Sequence, residues 1–128
     1  MKGYDAFTLR QYSSVIMDNI KSNEAFIQTV AVTSREKAGQ VLLKSATPKQ
    51  LDALCEIILN VLRGTVPLAP CDKKKASQHK TVLRKLAKRC LKKLPRKKLF
   101  IKYFKVIRSI IIAALPVIGI IISAVQLQ

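Results

Sequence analysis

The sequence predicts an all-α protein: a small helical bundle with a basic amphipathic arm and an apolar C-terminal helix. Three observations lead there. Leu, Ile, Lys and Ala dominate while Gly is scarce and Trp absent, a composition that favours helix over strand. Apolar residues recur at helical spacing through much of the chain. Charge is divided between the halves: residues 1–72 carry 8 Lys/Arg and 7 Asp/Glu, whereas residues 73–128 carry 16 Lys/Arg and no acid. Almost all of the net +17 therefore sits in the second half, and the last 20 residues are uncharged. At 128 residues the chain has the length of one domain. The asymmetry divides it into a bundle over 1–94 and a basic arm with an apolar tail over 95–128.

In the first 20 residues Phe7, Leu9, Tyr12, Val15, Ile16 and Ile20 have a loose helical spacing. The stretch Asn23 to Val32 fits a short helix or a strand. Ser34 reads as the N-cap of a helix from Lys37 to Lys44 that presents Val41 and Leu42. The best-defined element starts at Thr47-Pro48-Lys49-Gln50, with a capping hydroxyl, Pro at the first helical position and Gln placed to close a capping box. It should run to about Arg63, with Gly64 as the left-handed residue beyond its end. Asp52, Glu56, Asn60 and Arg63 line one narrow face, and apolar residues fill nearly all the rest. So wide an arc implies contacts on more than one side, in the centre of a bundle or at the interface of a homo-oligomer.

Thr65 to Pro70 contains two prolines and reads as a connector. Asp72 can cap a helix over Lys73 to Leu94, with Leu83, Leu86, Ala87, Cys90, Leu91 and Leu94 on one stripe and cations on the other half. Pro95 ends it. Lys97 to Arg108 resumes an amphipathic pattern. Ile110 to Val125, about 24 Å as a helix, is short against the roughly 30 Å of a bilayer's hydrocarbon, and Pro116 and Gly119 weaken it.

Few parts for catalysis are present. One His and seven scattered acids supply no Ser/His/Asp, Cys/His or paired-carboxylate arrangement, and no Gly-rich phosphate loop exists. A non-enzyme without cofactor or metal is expected. Cys55, Cys71 and Cys90 form no CxxC pair and are odd in number, which predicts reduced thiols in an intracellular setting rather than a disulfide framework. His79 reads as a packing or capping residue. The N-terminus lacks the apolar stretch of a signal peptide.

What remains is charge and apolar surface. A solvated helix face normally intersperses acids among its bases; from 73 to 108 there are 36 residues with 16 cations and no acid. Such a run calls for an external polyanion. The candidate nucleic-acid-binding residues are Lys73, Lys74, Lys75, Lys80, Arg84, Lys85, Lys88, Arg89, Lys92, Lys93, Arg96, Lys97 and Lys98. They would contact phosphates rather than read bases. Candidates for docking to membrane or capsid are Phe100, Phe104, Ile107, Ile110, Ile111, Ile112, Leu115, Ile118 and Ile121, with Lys102, Lys105 and Arg108 placed to snorkel toward lipid phosphates.

The block from Lys44 to Leu68, with Leu54-Cys55-Glu56-Ile57, Asn60-Val61-Leu62, Gly64 and Pro67-Leu68, precedes His79-Lys80, Val82-Leu83-Arg84 and Leu86-Ala87. This order over about residues 26–98 resembles a family of small basic proteins encoded in adintoviruses and related Maverick/Polinton elements. The resemblance implies a minor virion component akin to the small basic adenoviral core peptides, located in the virion and, during assembly, in the host nucleus. The chain departs from that family's Gly- and Leu-rich C-terminus with an Ile-rich one.

The expected function is binding and condensation of double-stranded DNA, with lipid or capsid protein as partner of the tail. The alternative is a membrane-active viral protein, either an entry lytic factor or a tail-anchored viroporin. On this division a chain ending at Arg96 should stay folded and keep most of its DNA binding.

Overall fold

Every regular element among the described residues is helical. The structure, a computed structural model, describes residues 20–64, 68–92 and 95–126, with side chains for all of these except 117, 118 and 120–126. The proposed helical spacing before Ile20 lies outside the described residues, as do Thr65 to Pro67 of the connector. The fold class is as expected: an all-α small helical bundle.

Helix α1 (Glu24–Val32) resolves the helix-or-strand alternative in favour of helix and buries Phe26, Ile27 and Val30. Helix α2 (Glu36–Lys44) starts one residue before the expected Lys37, with Arg35 rather than Ser34 as N-cap and no side-chain cap. Its buried face is Gly39 and Leu43, and Val41 is 67 % exposed. The reason is a tertiary contact: a Cβ on Gly39 would overlap the ring of Phe104, so this face takes the ring edge-on to bare backbone.

Helix α3 (Pro48–Leu62) follows its sequence signals closely. The Gln50 N–H donates to Thr47 Oγ1 at 3.2 Å, and the Thr47 N–H donates to Gln50 Oε1 at 2.9 Å, completing the capping box. Gly64, at φ +75°, follows the C-cap Arg63. Leu51, Ala53, Leu54, Cys55, Ile57 and Ile58 are buried, and α1, α5 (Lys80–Leu91) and α7 (Phe104–Gln126) all pack on this helix. The wide apolar arc thus belongs to the centre of a bundle. One member of the narrow polar face is also buried: Asn60, whose Nδ2 donates to the Glu56 carbonyl at 2.7 Å.

The single helix expected over 73–94 is two. Helix α4 (Pro70–Gln78) and α5 are separated by His79, at φ −105° and ψ 16°. Ala69 rather than Asp72 is the N-cap and Pro70 is the first helical residue; Asp72 sits in the first turn, where its carboxylate suits the positive helix end. Helix α6 (Lys97–Lys102) and α7 then turn at Tyr103. Pro116 lies within α7 instead of ending it.

The division into a bundle and a separate arm requires correction. Phe100, Phe104, Ile107, Ile110, Ile111 and Ala114 belong to the same buried cluster as Ile27, Leu43, Leu54 and Ile58. Helix α6 packs on α2, and α7 packs on α1, α2 and α3. The segment after Pro95 supplies two of the largest side chains in the core, and at about 1.5–3 kcal/mol per fully buried large apolar residue its removal from water is a leading stabilising term.

Candidate nucleic-acid interface

Helix α5 is amphipathic because Leu83, Leu86 and Ala87 recur at three- and four-residue spacing and bury against α3. That docking turns Lys80, Arg84, Lys85 and Lys88 to solvent, followed by exposed Lys92. Helix α4 buries nothing and adds exposed Lys73, Lys74 and Lys75. The kink at His79 joins the two cationic helices, and α4 also leans on α7. Two ion pairs occur among the described residues, Arg96–Asp52 and Lys105–Glu36, and neither touches this surface. Its charge has no acidic neighbour on α5 at all.

A covalent link anchors the surface. Cys55 of α3 and Cys90 of α5 form a disulfide, Cα to Cα 5.9 Å. The expectation of three reduced thiols is corrected; Cys71 alone is free, and exposed. The odd count concealed the pair, because cysteines 35 residues apart meet only once α5 lies along α3.

The remaining candidates divide. Arg96 faces inward: its Nη2 donates to Asp52 Oδ1 at 2.5 Å and to the Pro48 carbonyl at 3.0 Å, and Nη1 contacts Cys55 Sγ at 3.3 Å. Lys97 Nζ donates to the Lys44 carbonyl at 3.0 Å, at the C-terminal end of α2. Arg89 is half-buried and donates to the Pro95 carbonyl at 2.6 Å. Lys98 is exposed, and Lys93 lies outside the described residues. Sequence reasoning could not see that Arg96 and Lys97 bind the protein itself, since a charge run reads alike whether its heads meet solvent or helix ends.

Five of the nine candidate docking residues, Phe100, Phe104, Ile107, Ile110 and Ile111, are at most 2 % exposed and are core residues in this fold. Ile112 is 44 % exposed, Leu115 is half-buried, and the side chains of Ile118 and Ile121 lie outside the described residues. The cations expected to meet lipid also have protein partners. Arg108 Nε donates to the Ala31 carbonyl at the end of α1, 3.0 Å away, and Lys105 pairs with Glu36 at 3.3 Å. Lys102 lies 5.3 Å from the Tyr103 ring centroid. Among the described residues no helix is long and apolar enough to cross a membrane, and no acid, His or Cys cluster could hold a metal.

Between the end of α5 and α6 lies an open cavity of about 440 Å³, bordered by Arg89, Arg96, Lys97, Lys98 and Lys102 together with Pro95 and Leu99. Among the described residues one titration is shifted, that of Glu56 on α3. Burial raises the Glu56 carboxyl, opposed by nearby Arg63, reinforced by Asp52 and opposed by a hydrogen bond from Asn60. Comparison with protein-family models, curated proteins and solved structures finds no match for this chain.

Proposed function

We propose that this is a non-enzymatic protein that binds and condenses double-stranded DNA through sequence-independent phosphate contacts. The observation that carries the reading is the outward face of α4 and α5: Lys73, Lys74, Lys75, Lys80, Arg84, Lys85 and Lys88 are exposed, and no described acid pairs with them. Such a surface binds a polyanion favourably because its Lys and Arg side chains neutralise phosphates and release the counterions condensed on the nucleic acid. This helical face, whose one acid among the described residues of α4 and α5 is Asp72 in the first turn of α4, suits a duplex backbone and offers no constellation for reading base edges. Arg96 and Lys97 drop out of the direct contacts and instead hold the scaffold.

The virion setting rests on the sequence resemblance over residues 26–98. The disulfide is compatible with it, since disulfides persist on particles outside the reducing cytosol. Burial of Phe100, Phe104, Ile107, Ile110 and Ile111 weighs against the membrane-active alternative, which would have to draw those side chains out of the core.

Titration of mixed-sequence duplexes at several salt concentrations tests the reading. With about six phosphates engaged, log K should fall with log salt at a slope of roughly −5. Arg84→Gln combined with Lys85→Gln and Lys88→Gln should weaken binding on all sequences alike and flatten the slope by about 3. Affinity that is independent of salt would overturn it.

A further inference from the structure

We propose that the cavity between α5 and α6 is a binding site for a compact small molecule bearing several phosphates, distinct from the DNA-contacting face. Five described cations from two elements border it, Arg89 from α5 and Arg96, Lys97, Lys98 and Lys102 from α6 and its N-cap, and no described acid does. Its volume of about 440 Å³ lies within the range of small-molecule sites, roughly 300–1,000 Å³.

The shape separates this site from the duplex surface. A DNA backbone presents phosphates along a gently curved line and is met by the outer faces of α4 and α5. An open recess bordered by cations from two elements matches a ligand whose phosphates radiate from a small scaffold. Pro95 and Leu99 give the recess an apolar portion for that scaffold.

Three of the cations are already oriented. Arg89 is held by the Pro95 carbonyl at 2.6 Å and immediately precedes Cys90, which the disulfide fixes to α3. Arg96 is held by Asp52, the Pro48 carbonyl and Cys55 Sγ, and Lys97 by the Lys44 carbonyl. A guanidinium has five N–H donors, so both arginines retain donors for a ligand after making these bonds. Side chains immobilised before binding lose little entropy on binding. Lys98 and Lys102 are exposed and supply adaptable charge at the rim. Asp52 is committed to Arg96, and among the described residues the other four cations pair with no acid.

The probe is inositol hexakisphosphate, titrated calorimetrically into the full oxidised chain at physiological salt. One site per chain is expected. Lys98→Gln with Lys102→Gln removes two charges without touching a core contact or a scaffold hydrogen bond, and should weaken the probe at least tenfold. Lys98→Arg with Lys102→Arg should restore binding to within threefold of the parent. Removing the same charge from α4, by Lys73→Gln with Lys74→Gln, should cost less than threefold.

Equal losses from the two Gln pairs would overturn the site, because the probe would then be sensing only the protein's overall charge. So would the absence of saturable binding, or several equivalent sites per chain. A Lys98/Lys102 Gln pair that lost duplex affinity as steeply as probe affinity would also overturn it, making the recess part of the DNA face. Duplex binding is read in a separate titration, so either proposal can fail alone.

Discussion

Gly39 and Phe104 show how much a single residue can decide. A glycine inside a helix normally costs about 0.5–1 kcal/mol relative to alanine. At position 39 that cost is offset by the close approach of the Phe104 ring, which occupies the space a Cβ would need. Gly39→Ala should therefore destabilise, by about 1–3 kcal/mol for an overpacked core. Gly119, also helical, has nothing within 4 Å of a built Cβ, so Gly119→Ala should stabilise by up to about 1 kcal/mol. Urea denaturation of the two variants should give opposite signs. Glu56 offers a second test at this scale. Burial raises its carboxyl above the ordinary carboxylate value, so the folded state holds the proton more tightly than the unfolded chain. Its contribution is fully present below the unfolded pKa and is lost as pH rises through the folded value. Glu56→Gln should accordingly gain stability relative to the parent at neutral pH, and the gain should shrink as pH falls from the raised folded value toward the ordinary carboxylate value and be gone below it. Melting curves across pH 3 to 7 check the sign.

At the scale of elements, the chain uses its cations twice. Those on α4 and the outer half of α5 stay in solvent, whereas Lys97 and Arg108 donate to the carbonyls of Lys44 and Ala31, near the ends of α2 and α1. Unsatisfied carbonyls and the negative end of the helix dipole make such sites favourable for a cation. Arg96 works differently, at the positive end of α3, where the Asp52 carboxylate balances its charge while it also reaches the Pro48 carbonyl and Cys55 Sγ. The disulfide then joins α3 to α5 and so fixes the basic face to the bundle. Closing a loop across a separation of 35 residues restricts the unfolded chain and is worth about 3–4 kcal/mol on the chain-entropy account. Cys55→Ser with Cys90→Ser should lower stability by an amount of that order. Dithiothreitol should lower the melting temperature of the parent but not of the double variant. An unchanged melt in the parent would mean that the two sulfurs are not bonded.

For the whole molecule, the test is truncation. A chain ending at Arg96 lacks Phe100, Phe104, Ile107 and Ile111, all fully buried. With each worth about 1.5–3 kcal/mol of burial, their joint loss is comparable to the 5–15 kcal/mol that stabilises an ordinary domain. The truncated chain should therefore show little cooperative unfolding by circular dichroism, the opposite of what an independent arm would allow. A cooperative melt near that of the parent would restore the arm as a separate unit.

Local signals settled those features whose causes are local. Thr47, Pro48, Gln50 and Gly64 placed α3 because caps act within one turn, and the breadth of its apolar arc announced its central position. The alternation of Leu83, Leu86 and Ala87 with cations likewise announced an amphipathic α5. Other features needed partners distant in the chain. Cys55 and Cys90 looked like separate thiols until α5 lay beside α3. Phe100 to Ile111 looked like a docking segment because apolar residues pattern identically whether they cover a partner or their own core. The cations from Arg96 to Arg108 looked free to meet an outside polyanion or lipid because no acid lies near them in the sequence, yet Arg96, Lys97, Lys105 and Arg108 meet Asp52, Lys44, Glu36 and Ala31 across the bundle. Sequence determines which residues are charged, apolar or helix-forming; only tertiary packing decides which of them face one another, because contact energy depends on distance in space and not along the chain.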